Sequence, residues 1–275
     1  MMKKSRRSFL KVAAVSAIGI GAAPAISFSS SSNSHGTSHA VKSKNKGALT
    51  AERWGMVIDT SKLNDEVVEK IVEACHKGHN VPDFNHEPDK EKYPNVRPVN
   101  HKQDIKWIWE EEFEHAFTEK EDEFLAKKFK DLPFLVTCNH CKNAPCVKAC
   151  PTQATFKRKD GIVMMDFHRC IGCRFCMAAC PFGSRNFNFR DPRPFIEEFN
   201  PNFPTRTRGV VEKCNLCAER LAKGKQPYCV EVSDGAIIVG DLEDPKSNVR
   251  TLLDKKYSIR RKQELGTEPS VYYIM

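Results

Sequence analysis

The fold is decided by CIGCRFCMAACP, residues 170–181, in which Cys170, Cys173, Cys176 and Cys180 are spaced C-x2-C-x2-C-x3-C and Pro181 follows the last. Upstream, CNHCKNAPCVKACP, residues 138–151, repeats the run with a wider second gap, giving Cys138, Cys141, Cys146 and Cys150-Pro151. Three thiols on one tight loop can take three corners of a metal centre. The fourth lies on the next helical turn and points elsewhere. The small residues Gly172, Ala178 and Ala179 let backbone approach the sulfurs and offer amide donors.

This spacing is that of bacterial ferredoxins, whose fourth cysteine ligates the neighbouring [4Fe-4S] cluster. Crossing the fourth ligands predicts cluster A on Cys138, Cys141, Cys146 and Cys180, and cluster B on Cys150, Cys170, Cys173 and Cys176. Disulfides are a weaker reading, because cysteines two and three apart rarely meet disulfide geometry. Zinc also uses C-x2-C pairs, so a zinc-stabilised scaffold without redox function is a rival. No C-x-x-C-H occurs, which argues against covalent c-type haem on this chain.

A third set, Cys214, Cys217 and Cys229, needs a fourth ligand, and of the twelve cysteines Cys75 is the one left. GIVMMDFHRC, residues 161–170, places a strand and Asp166 four positions before the first ligand, and GMVIDTSKL, residues 55–63, repeats this with Asp59 and Leu63. Leu63 then stands where a first cysteine would. After it come Val67, Val68, Ile71, Val72 and Cys75 at helical spacing, with Asn64 as N-cap and Asp65 and Glu66 in the first turn. At the other end Ser233 stands where a fourth cysteine would. Leu63 and Ser233 together mark one lost cluster, and cluster C rests on Cys75, Cys214, Cys217 and Cys229. The expected cofactors are three [4Fe-4S] clusters.

The formal charge is +9, of which residues 1–11 hold five bases and no acid, leaving +4 on the rest. That balance, without an aromatic-spaced basic stripe, excludes nucleic acid as the expected partner. Residues 1–28 combine SRRSFLK with a Gly/Ala-rich apolar run, as in a twin-arginine export signal, and residues 29–50 read as a flexible leader.

From about Ala51 onward the chain resembles the four-cluster ferredoxin-like iron–sulfur subunits of molybdopterin oxidoreductases and their relatives. GMVID, CHKGHNVP, both Cys-Pro runs, GVVEKCNLCAERL, GDLED and LGTEPSVYYIM carry the resemblance. With one cluster missing and an export leader, it is most similar to the exported subunit of the transmembrane complex associated with dissimilatory sulfite reduction. The resemblance implies an α+β fold of two ferredoxin-like domains related by pseudo-twofold symmetry. The inner domain is 138–204; the outer one is 51–82 plus 205–275; between them 83–137 is an insertion with a charged helix.

It also implies an extracytoplasmic site of action and an integral membrane, quinone-interacting subunit of polysulfide-reductase type. A multihaem cytochrome c and wider partners, with haem b and a heterodisulfide-reductase-like subunit, complete the implied complex. The alternative is the electron-transfer subunit of a polysulfide, nitrite or molybdopterin oxidoreductase. No catalytic apparatus is expected: the sequence holds no nucleophile elbow and no nucleotide-binding glycine loop, and fully thiolate-ligated clusters move electrons without binding substrate.

Within DIKWIWEEEFEHAFTEKEDEFLAKKF, residues 104–129, Trp109, Phe113, Phe117 and Phe124 fall partly at helical spacing and are expected to pack in a core. His140 and His168 lie beside ligands, where surface packing is weighed against a hydrogen bond to sulfur. His76 and His79 flank Cys75 in a structural role. AIIVG, residues 236–240, reads as a strand, DPKSNVRTLLDKK as a helix, and the tail EPSVYYIM as β-prone.

Overall fold

The computed structural model describes residues 45, 47–96, 98–120, 129 and 132–275. The expected export signal, residues 1–28, therefore lies outside the described residues. The strands, in chain order, are β1 (Trp54–Asp59), β2 (Ile108–Glu111), β3 (Phe134–Thr137), β4 (Thr155–Lys157), β5 (Val163–Met165), β6 (Asn186–Phe187), β7 (Val211–Glu212), β8 (Ile237–Asp241), β9 (Ser258–Ile259) and β10 (Val271–Ile274). The helices are α1 (Asp65–Gly78), α2 (Phe113–Ala116), α3 (Pro145–Lys148), α4 (Phe175–Ala178), α5 (Ala218–Leu221), α6 (Tyr228–Glu231) and α7 (Asn248–Lys255). The expected mixture of helices and strands is present.

β1 is buried at every position because both of its faces are covered. Met56 and Ile58 enter the main core, whereas Val57 turns to a smaller cluster with Leu242, Val249 and Ile274. This is the period-two alternation of a strand put to use on two sides. The sheet runs β8-β1-β10-β9, with β1 parallel to β10 and antiparallel to β8. The apolar tail is thus an inner strand, and Tyr273 donates from its buried hydroxyl to the Leu135 carbonyl at 3.0 Å.

The helix α1 begins where its sequence says it should: the Asn64 side chain accepts from the Val67 N–H at 2.9 Å, with Asp65 and Glu66 in the first turn. Its buried face presents Val67, Val68, Ile71 and Cys75. At its end Gly78 lies so close to α6 that an added Cβ would stand 2.4 Å from the Tyr228 ring. Asn64→Ala removes the acceptor for an otherwise unpaired helix N–H and is expected to cost about 1 kcal/mol. Urea unfolding checks this through a lower midpoint at unchanged slope.

One expectation is corrected. The helical spacing does not hold at Trp109: Ile108–Glu111 is a strand paired with Phe134–Thr137, and among the described residues helix appears at Phe113–Ala116 and again at Phe129, with a 3-10 turn at Thr118–Lys120. Branched and aromatic residues in IKWIW favour pairing with FLVT over helical continuation. Phe124 lies outside the described residues. Within 83–137, Trp107, Ile108, Phe113, Phe117, Phe134 and Leu135 belong to the main core. Of the aromatic stripe, Phe113 and Phe117 pack with Phe134, as expected of core, while Trp109 lies partly buried in β2.

The end of the leader is likewise tied down: Leu49 N–H donates to the Leu221 carbonyl at 2.9 Å and its side chain packs on the core. The cysteine-rich part contributes the two-stranded sheets β4-β5 and β6-β7. The second of these pairs Asn186 with Glu212 and Phe187 with Val211, joining chain on both sides of the expected 204/205 boundary.

Candidate metal centres

Three cysteine loops share one backbone trick. The residue before the second cysteine is left-handed in each: His140 at φ 41°, Gly172 at 68° and Leu216 at 56°. Outside glycine this conformation costs about 1–2 kcal/mol per residue, so its recurrence marks a shape the loops must hold. It turns amides towards sulfur, and Leu216 N–H meets Cys214 Sγ at 3.3 Å. At Gly172 a side chain is impossible, because a Cβ would lie 2.4 Å from the Gly209 carbonyl oxygen.

Each third cysteine then sits second in a four-residue helix, Cys146 in α3, Cys176 in α4 and Cys229 in α6. Four residues further on stand Cys150, Cys180 and Ser233. No spacing argument revealed the left-handed residues, since two of the three are not glycine.

All twelve cysteines are free thiols, which removes the disulfide alternative. Cys138, Cys141, Cys146 and Cys180 line one small cavity with Val163, Phe182 and Arg185. Burial, then the charge of Cys138, pushes the Cys141 thiol up to about 12. Cys75 is fully buried with the third set; burial first, then Cys214, Cys217 and Cys229, drive its thiol well above the usual range.

For the B set the structure brings Cys176 beside Cys170, and Cys150 and Cys173 are assigned to it by the repeat alone. Burial works to raise the Cys150 thiol, yet the N–H of Thr155 at 3.4 Å and further donors from Thr152 and Ala154 outweigh it and lower it. Cys146 and Cys176 belong to one buried cluster, and Lys213 joins the Val163 carbonyl, on a residue lining the A cavity, to the Cys214 carbonyl, so the A set neighbours both of the others. The neighbour order is therefore B, A, C.

Do these residues fit an iron–sulfur cluster? Thiols crowded in a buried site repel one another as thiolates, and bound cations reverse that logic. Asn139 Oδ1 and Arg185 Nη2, on residues that line the A cavity, and the buried His140 Nε2 have no hydrogen-bond partner among the described residues, although native proteins leave few such groups. Val163 N–H donates to His140 Nδ1 at 3.1 Å, which puts the ring proton on Nε2. Burial, then Lys213 and Arg185, hold the ring neutral. The unpartnered Arg185 Nη2 belongs to a residue that lines the cavity with the four sulfurs and suits a sulfide or thiolate acceptor, so the donor set fits the cluster. His168, by contrast, is exposed.

At the C set His79 Nδ1 donates to the Cys75 carbonyl at 2.8 Å, its Nε2 lies 3.2 Å from Glu219, and its ring stacks on Trp107. His79, Cys217 and Glu219 bring one ligand atom each within 4.8 Å of one another, so this trio belongs to the same site. His76 accepts from Trp107 N–H at 3.4 Å, and burial followed by the His79 charge lowers it to about 4. Both histidines hold structure, as expected. Leu63 is buried in the main core. The Ser233 hydroxyl accepts from Ile237 N–H at 3.1 Å and donates to the Val230 carbonyl at 3.0 Å, so it is spent on a local turn. Sequence reasoning missed Arg185 and Lys213; a cation next to Cys214 and another five residues after Cys180 were the available signals.

A family model described as a 4Fe-4S dicluster domain matches residues 132–191. The chain is 38% identical over 243 residues to an Hdr-like menaquinol oxidoreductase iron-sulfur subunit 1 from Archaeoglobus fulgidus, covering 80% of this chain and 82% of that one. It is 32% identical over 247 residues to the menaquinone reductase iron-sulfur cluster-binding subunit of Nitratidesulfovibrio vulgaris, covering 81% and 88%. With one polypeptide of the polysulfide reductase of Wolinella succinogenes it shares 37% identity over 140 residues, half of this chain and 64% of that one.

Proposed function

The chain belongs to the ferredoxin-like iron–sulfur subunit family of oxidoreductase complexes, and from that premise we propose that it is a wire of three [4Fe-4S] clusters serving a membrane quinone partner. The neighbour order of the thiol sets carries this reading: an uninterrupted row, with the helix that delivers Cys75 at one end. Cluster A rests on Cys138, Cys141, Cys146 and Cys180, cluster B on Cys150, Cys170, Cys173 and Cys176, and cluster C on Cys75, Cys214, Cys217 and Cys229. When bound, the clusters supply single-electron carriage. Leu63 and Ser233 are the remnants of a fourth site beyond C, consistent with two ferredoxin-like halves related by a pseudo-twofold axis.

The quinone assignment is supported by the two relatives that align over four fifths or more of both chains, which are named for menaquinol and menaquinone. The finer reading is an exported subunit, carried folded through a twin-arginine pathway on the strength of SRRSFLK, that exchanges electrons with a multihaem cytochrome in a sulfite reduction-associated complex. Haem b and heterodisulfide-reductase-like subunits complete that assembly. A second reading, the electron-transfer subunit of a polysulfide reductase-type enzyme, is favoured by the polysulfide reductase relative. Co-purification separates them: a large redox subunit on the same side of the membrane supports the second, a cytochrome the first.

The direct test is iron and acid-labile sulfide per chain with EPR of the reduced protein. Three clusters require about 12 iron atoms, and Cys75→Ala should lower this to about 8 with loss of one signal. Zinc in place of iron, or an unchanged iron count in the variant, would end the reading.

A further inference from the structure

We propose that Arg185 and Lys213 are the fixed counter-charges of the two gaps in the row, Arg185 between clusters B and A and Lys213 between clusters A and C. Arg185 is 4% exposed and lines the A cavity; its Nη1 donates to Thr155 Oγ1 at 3.1 Å, and Nη2 has no partner among the described residues. The N–H of that Thr155 donates to Cys150 Sγ of the B set, and Cys146 and Cys138 from A and Cys176 from B raise the Arg185 pKa against the opposing effect of burial. Lys213 is 2% exposed and donates to the Val163 carbonyl and, at 2.6 Å, to the Cys214 carbonyl. Its charge acts on Cys214, a C-set thiol on which Cys138 of the A set acts as well.

The two cations are linked through one peptide. Val163 lines the A cavity, accepts from Lys213 at its carbonyl and donates its N–H to His140, and both cations act on that His140 ring. Arg206, another buried guanidinium, is paired with Glu212. Among the described residues neither Arg185 nor Lys213 has a carboxylate at ion-pair distance. A buried charge left uncompensated is strongly unfavourable, so each requires an anion, and the thiolates nearest to it are cluster ligands.

The inference rests on the three-cluster reading. Each hop takes one electron from one cluster and reduces its neighbour by one, with no bond made and no proton moved. A cluster with four thiolates is net negative, and its potential rises with positive charge nearby. A cation in each gap therefore favours the electron's stay on either side of it. Cluster A, flanked by both, gains from both.

The test is potentiometric EPR on the whole holoprotein, after iron and sulfide counting. If the wild type lacks three cubanes, the three-cluster reading fails and this proposal with it. With three present, Arg185→Gln should lower the midpoints of A and B but not C, and Lys213→Gln those of A and C but not B. The expected drop is about tenfold in the reduced-to-oxidised ratio at fixed poise, about 59 mV for a one-electron couple. Arg185→Lys and Lys213→Arg should restore the midpoints. Unmoved midpoints, or all three shifting alike, overturn the proposal. If the glutamine variants fail to assemble clusters while the charge-keeping variants succeed, the counter-charge role is upheld; if both kinds fail together, the side chains are merely structural and it is overturned.

Discussion

Iron removal from the purified protein is expected to unfold the segment from Cys138 to about Cys180 while the β8-β1-β10-β9 sheet keeps its hydrogen bonds. The second hydrophobic cluster consists of Cys141, Ala144, Cys146, Val163, Cys176, Phe182 and Val211, so three of its seven buried members are themselves proposed ligands. Ordering the backbone costs about 1–2 kcal/mol per residue, and four non-ligand side chains cannot offset that over such a stretch. The left-handed backbone at His140 adds to the cost. Metal binding supplies the balance, since a thiolate site forms together with its fold. The main core, built on Trp54, Met56, Ile58, Ile71, Trp107 and Phe134, contains few ligands and does not depend on iron to the same degree.

Hydrogen exchange on chelated protein under reductant separates the two regions. Protection lost across residues 138–180 and retained in β1 and β10 is the expected outcome; uniform protection after iron loss would refute it. Alkalinity should worsen the apo state. Cys141 and Cys229 are raised, chiefly by burial, from 9.0 to about 12. A thiol raised in the folded state contributes stability that is present below its unfolded pKa and lost as pH climbs through the 9 to 12 window.

Cysteine spacing made the repeated cysteine loops legible, because three cysteines on one loop are a local matter. The Asn64 cap and the α1 face were legible for the same reason, each interaction spanning four residues or fewer. What failed was non-local. Trp109, Phe113 and Phe117 mimic a helical stripe, yet the strand partner that claims Trp109 is Val136, twenty-seven positions away. The left-handed backbone at His140 and Leu216 is imposed on residues with no preference for it, so composition gives no warning. Arg185 and Lys213 look like ordinary surface charges until the fold buries them between thiols that are distant in sequence. The tail was legible as a strand, but not as the strand lying between β1 and β9.

Arg206→Met is expected to destabilise the holoprotein by about 3–5 kcal/mol, the cost of leaving one partner of a buried ion pair uncompensated. Arg206 and Glu212 are fully buried and meet at 2.5 Å. Glu212 also accepts from Trp107 Nε1 at 2.8 Å and from Asn188 Nδ2 at 2.6 Å, while Arg206 donates to the carbonyls of His79 and, at 2.8 Å, Asn80. The pair thus fastens the end of α1 and the Trp107 segment to β7, immediately before Lys213 and Cys214. Arg206→Met should therefore loosen cluster C before A or B, with the Cys75 signal broadening or being lost first on heating. Arg206→Met/Glu212→Met should recover part of the loss, because the stranded carboxylate is gone, and a double-mutant cycle measures that coupling. A double variant as unstable as the sum of its singles would mean that the two side chains act independently, and the ion pair could not then be what ties Cys75's helix to the loop of Cys214.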